Sequence, residues 1–154
     1  MATRKSKIEG GSAWRWYADP DPDGDYLAMA TFIELRSIRS LPRFEWYTQR
    51  VHRQLGRTPG LIGYSFRGQF PFRYWTLSAW ESGRALNGFV KAGSHRTGMT
   101  SLVRVMREFQ QVHWKVTGAG LPLSWADGLQ RLTARTRLSI PPTKSNASRL
   151  GSAP

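Results

Sequence analysis

Apolar and polar residues alternate most regularly between Arg73 and Trp80, where Trp75, Leu77 and Ala79 interleave with Tyr74, Thr76, Ser78 and Trp80. A strand there shows rings or small groups on both faces, which suits an interior strand with neither face left to bulk water. The period then changes. Ser82 is positioned as an N-cap, Ala85, Leu86, Phe89 and Val90 fall on one helical face, and Gly93 supplies a stop. His95 follows just past that helix end.

The same reading extends in both directions. Residues 26–35 (YLAMATFIEL) predict a first strand, and Ser40 with Pro42 opens a helix whose apolar face carries Phe44, Tyr47, Val51 and Leu55 before Gly56. The segment LIGYSFRGQ from Leu61 predicts a second strand in hairpin relation to residues 73–80. Met99, Leu102, Val103 and Met106 suggest a short helix leading into a last strand over 108–117, and Ser124 caps a short helix through Leu132. The order βαββαβ is the split βαβ arrangement, an α+β, ferredoxin-like fold with both helices on one face of an antiparallel four-stranded sheet. The opposite face needs a cover. A second copy of the chain supplies it most simply, so a homodimer is expected.

The domain is expected over residues 25–132, with 1–24 as an N-terminal tail and turn and 133–154 as a disordered C-terminal tail. The run ADPDPDGD at 18–25 reads as a turn, because it lacks the distal Glu and flanking helices of a calcium loop. A length of 154 residues allows one domain with a core. With no cysteine, disulfides, thiolate metal sites and a cysteine nucleophile are excluded. No stretch approaches the ~20 apolar residues of a membrane span, so a cytoplasmic protein without a membrane partner is expected.

A formal charge of +13 raises nucleic acid as a partner. The basic residues are scattered along the sequence, however, and much of the charge falls in the tails. That pattern favours a solvated basic surface over a nucleic-acid site.

Four stretches carry a family likeness: YLAMATFIELRSI from Tyr26, RTPGLIGYSF from Arg57, TLSAWESGRALNGFVKAGSHR from Thr76 and LPLSWADGLQRL from Leu121. Through them the chain resembles the dimeric α/β-barrel superfamily of the antibiotic biosynthesis monooxygenases, and in particular an uncharacterised branch with some similarity to spheroidene monooxygenase. The resemblance implies a cavity between sheet and helices of each protomer, with Trp75, Trp80, His95 and Met99 at its wall. It further implies monooxygenase chemistry on a hydrophobic or aromatic secondary metabolite. A non-catalytic small-molecule or heme-binding dimer and a basic nucleic-acid-associated protein are the alternatives.

Of His52, His95 and His113, His95 is the leading candidate for a base, since His52 reads as a solvent-exposed border residue of its helix and His113 as a partly solvated sheet position. Trp75, Trp80, Tyr64, Phe66 and Phe72 are candidate cavity walls, Arg73 or Tyr74 a candidate oxyanion partner, and Met99 a neighbour of His95. No HxH or HxxxH spacing supports a protein metal site. The expected cofactor is none, with heme as the alternative through an axial His95 and Arg96 or Arg73 on a propionate.

Overall fold

The computed structural model describes residues 4–93 and 100–139, with side chains to residue 135. Six strands form one antiparallel sheet: β1 (Lys5–Ser6), β2 (Trp14–Trp16), β3 (Asp25–Leu35), β4 (Leu61–Gln69), β5 (Arg73–Trp80) and β6 (Met106–Thr117). Their order across the sheet is β1-β2-β4-β5-β3-β6. The four expected strands are therefore present, with β5 interior as its two-sided apolar pattern predicts. Leu27 pairs with Trp80 and Glu34 with Arg73 along β3 and β5, while Met29 faces His113 and Thr31 faces Gln111 along β3 and β6.

Helices α1 (Leu41–Leu55) and α2 (Gly83–Lys91) lie on one face. They place Leu55, Leu86 and Phe89 against Met29, Tyr64 and Trp80 of the sheet. Ser82 has extended backbone and its side chain accepts from the Ala85 amide at 3.2 Å, as its position before α2 predicts. Ser82→Ala is expected to lower stability by about 1 kcal/mol in urea denaturation, with the loss confined to the midpoint and the slope unchanged. Ser40 precedes α1 but makes no side-chain cap bond; Ser37 caps the short 3₁₀ turn Ile38–Ser40 instead.

One segment expected as a tail contributes to the core. Trp14 is fully buried and Trp16 nearly so, because β2 pairs with β4 and turns both rings inward. Gly63 permits this, since a Cβ there would collide with the Trp14 ring nitrogen. The Trp14 Nε1 has no hydrogen-bond partner among the described residues, an omission costing about 1–3 kcal/mol. Burying an indole of roughly 200 Å² at about 25 cal/mol per Å² contributes about 5 kcal/mol before entropy, which outweighs that cost.

The C-terminal helix α3 (Trp125–Ser139) runs past Leu132, where the sequence pattern ends it. It lies on the sheet face opposite α1 and α2, packing Trp125 and Leu132 with Ala28, Ala30, Leu77 and Ala79. Trp125 donates its ring N–H to Ser65 at 3.1 Å, and α3 approaches so closely at Gly128 that a Cβ would sit 2.5 Å from Leu77. The cover that sequence reasoning assigns to a second copy is thus supplied largely within the chain. Among the described residues, no helix is long and apolar enough to cross a membrane.

Candidate functional site

Between the sheet and α1 and α2 the packing leaves a cavity of about 340 Å³. The strands contribute Met29, Thr31, Phe66, Tyr74, Thr76 and Trp80, and α1 contributes Phe44, Thr48, Val51 and His52. These residues share one face by parity: odd positions of β3 and even positions of β5 point toward the helices, while their neighbours pack on α3. The wall is aromatic and aliphatic with a few hydroxyls. Charge is confined to the border, where Glu45 is exposed and the Arg67 guanidinium sits 5.6 Å from the Trp75 ring.

His52 is the titratable group that the fold brings to this wall. Its ring lies parallel to Phe66 with centroids 3.8 Å apart and tilts toward Tyr64 at 6.0 Å. Its Nε2 is buried and has no hydrogen-bond partner among the described residues. Burial, reinforced by the positive charge of Arg15, pushes the imidazole pKa down from 6.5 to about 4. The ring is therefore neutral at pH 7. Tyr64 stands beside it and Tyr74 lines the same cavity, in different settings. Tyr64 stacks on Tyr17 at 5.6 Å with its hydroxyl pKa raised, first by burial and then by the Tyr17 contact. Tyr74 packs on Phe44 at 4.4 Å, donates to the Pro71 carbonyl at 3.0 Å, and has its pKa raised by burial and by Glu45.

Of the residues named from sequence, Trp80 and Phe66 line the cavity, and the Trp80 ring N–H donates to Ser78 at 2.9 Å. Tyr64 lies behind them, fully buried against Phe66 at 5.0 Å. Trp75 borders the cavity, but its ring packs on Phe32 at 5.1 Å on the α3 side. Phe72 joins the separate cluster of Leu35, Phe44, Leu102 and Met106. Arg73 is exposed and 3.6 Å from the Glu34 carboxylate, so it is not an oxyanion partner in this arrangement. His95, Arg96 and Met99 lie outside the described residues.

His52 corrects the expectation of a solvent-exposed border residue. It falls four residues after Thr48 and three before Leu55, on the flank of the apolar stripe, and Phe66 of β4 closes over that flank. A wider stripe that admitted Thr48 and His52 to the buried face would have found it. His113 matches its expectation: it is exposed on β6, with its pKa lowered by partial burial and by Arg135.

No group of three or more potential metal ligands forms among the described residues. The heme alternative rests on His95 and Arg96, which lie outside the described residues. A volume of about 340 Å³ lies at the low end for ligand pockets and is of a size for two or three fused rings.

No family model matches the chain, and no curated protein matches it significantly. Solved structures do. A candidate antibiotic biosynthesis monooxygenase from Nitrosomonas europaea is 15% identical, with a TM-score of 0.52 over 57% of this chain and 95% of that one. A dimeric ferredoxin-like protein of unknown function from Thermobifida fusca is 9% identical, with a TM-score of 0.51 over 60% of this chain and 92% of that one. A conserved protein from Methanosarcina mazei is 11% identical, with a TM-score of 0.52 over 58% of this chain and 90% of that one. At these identities the likeness is one of fold. The chain has a ferredoxin-like α+β fold in common with these structures.

Proposed function

We propose that the chain is a cofactor-independent monooxygenase for an electron-rich, hydrophobic aromatic substrate bound in the α1–α2 cavity, with His52 as the base. One observation carries the reading: a buried imidazole nitrogen with no partner among the described residues, on the wall of a largely apolar cavity. Buried polar groups in folded proteins are nearly always paired, and an exception at a cavity wall marks a group reserved for a ligand.

The chemistry uses a methylene flanked by aromatic rings and a carbonyl conjugated to it. His52 Nε2 takes a proton from that carbon, leaving an extended anion. The anion passes one electron to O₂, and recombination of the two radicals forms a carbon–oxygen bond. Loss of water from the peroxide then leaves a ketone, so one oxygen atom enters the product and the other leaves as water. The depressed pKa of His52 is compatible with this role. It keeps the ring unprotonated in the empty cavity, and an anion formed within about 4–6 Å raises it during the reaction. Exclusion of water protects the anion from reprotonation.

Dithranol, a three-ring hydroxylated anthrone, is the test substrate. Uptake of one O₂ per molecule above the uncatalysed rate, with one ¹⁸O atom of ¹⁸O₂ in the product, is the expected result. Thr76→Trp, which fills the cavity from β5, is expected to weaken dithranol binding at least tenfold. Binding without oxygen uptake would leave a non-catalytic small-molecule carrier. No binding would overturn the cavity as the substrate site. A second copy of the chain, as the resemblance implies, must meet α3 on the sheet face, and light scattering at twice 17.5 kDa is its signature.

A further inference from the structure

The scatter of basic residues along the sequence disappears locally once α1 forms. Trp46, Arg50, Arg53 and Arg57 stand at i, i+4, i+7 and i+11, which is one stripe of a helix. Gly56 keeps right-handed helical backbone, so Arg57 continues the spiral. The stripe lies on the outer side of α1, away from the cavity. With Ala85 and Gly88 of α2 it lines an open groove of about 840 Å³ with no carboxylate in its lining among the described residues.

The groove is held in shape by Gln54, whose amide donates to the carbonyls of Phe89 at 3.2 Å and Ala92 at 3.0 Å, tying α1 to α2. None of the three arginines takes part in an ion pair with an acidic residue among the described residues. Trp46 is 54% exposed, with the Arg50 guanidinium 4.7 Å from its ring centre. An exposed indole beside a row of guanidiniums without carboxylate partners has little structural use, since neither is buried.

We infer that this groove binds single-stranded nucleic acid, with the phosphates along Arg50, Arg53 and Arg57 and a base stacked on Trp46. The three guanidiniums span about 10 Å of helix axis, seven residues at ~1.5 Å each, which suits a flexible chain of phosphates rather than a single anion. The ring decides between polyanions. Bases stack on aromatic side chains whatever their sequence, whereas an acidic peptide brings charge without a planar face. The groove is on the helix side, so pairing of two chains through their sheets leaves it open.

The test is fluorescence anisotropy of a fluorescein-labelled dT₁₂ strand between 50 and 200 mM salt. Wild-type protein is expected to bind with affinity falling as salt rises. Arg50→Ser, Arg53→Ser and Arg57→Ser together should weaken binding at least tenfold and reduce the slope of log affinity against log salt by about 2, at about 0.7 for each phosphate no longer neutralised. The charge-matched control, Arg104→Ser, Arg107→Ser and Lys115→Ser, should change affinity less than threefold. Trp46→Ala should weaken dT₁₂ at least fivefold while leaving an abasic 12-mer unaffected. Equal weakening by the two triple variants would overturn the assignment, as would equal binding of dT₁₂ and the abasic strand. Displacement of dT₁₂ by polyglutamate of the same charge would reduce the groove to a general polyanion site, and no binding at 50 mM salt would end the proposal. All six arginine and lysine positions are exposed, so the variants should melt as the wild type does.

Discussion

His52→Phe is expected to lower dithranol turnover by about 10²–10⁴-fold, the span associated with a positioned general base, with KM changed only a few-fold. Phe preserves the parallel contact with Phe66 and removes a buried nitrogen that has no partner among the described residues. Thermal stability at pH 7 should therefore hold or rise, which separates lost chemistry from lost structure. The same variant tests the titration. The folded ring has a pKa of about 4 against 6.5 when unfolded, so between those values the unfolded chain binds the extra proton. Stability thus falls as pH drops from about 6.5 to about 4, and His52→Phe should flatten part of that fall in urea titrations. His113, also lowered, contributes with the same sign and remains in the variant. Undiminished turnover in His52→Phe would remove the base from the proposal. His95→Ala in the same assay then decides whether the residue favoured by sequence shares or replaces that role.

Trp80→Ala is expected to cost about 3–5 kcal/mol and to lower the melting temperature by about 10 °C for a chain of this size. Trp80 has no exposed surface, packs 5.2 Å from Phe89 and sits beside Leu27 and Leu61 in the sheet, so little can move in to fill its space. Domains of this kind are stable by roughly 5–15 kcal/mol, so the loss is a large part of the whole. Because Trp80 lines the existing cavity, the new space is continuous with it. Indole at millimolar concentration should then restore several degrees to the variant and almost none to the wild type. A melting temperature within 2 °C of wild type would contradict this packing.

The parts of the fold that were legible in sequence are those whose pattern is complete within a short window. β5 shows its two apolar faces in eight consecutive residues, and Ser82 caps α2 through the amide three residues on. Trp14 and Trp16 lacked such a window. β2 has only three residues among polar neighbours, and its burial depends on pairing with β4 nearly fifty residues later. α3 continues beyond Leu132 through TARTRLS, which carries almost no apolar stripe, and Arg135 there donates to the Gln111 carbonyl. The site followed the same logic. Phe66 and Trp80, named from sequence among the candidate walls, line the cavity because even positions of β4 and β5 face the helices. Trp75 and Arg73, at the odd positions of β5, turn away, and the register with Phe32 and Glu34 fixes this. His52 escaped because its environment is made by Phe66, a residue from another element.

The hairpin of β1 and β2 has a consequence for solubility. It takes up the outer hydrogen-bonding rim of β4, a nine-residue strand that would otherwise lie bare at the margin of the molecule. An unguarded rim of that length can recruit a foreign strand and seed insoluble growth. At the other margin β6 offers Arg107 and Lys115 as deterrents. Trimming the first seventeen residues, as one would trim a dispensable leader, should thus turn a well-behaved protein into one that precipitates.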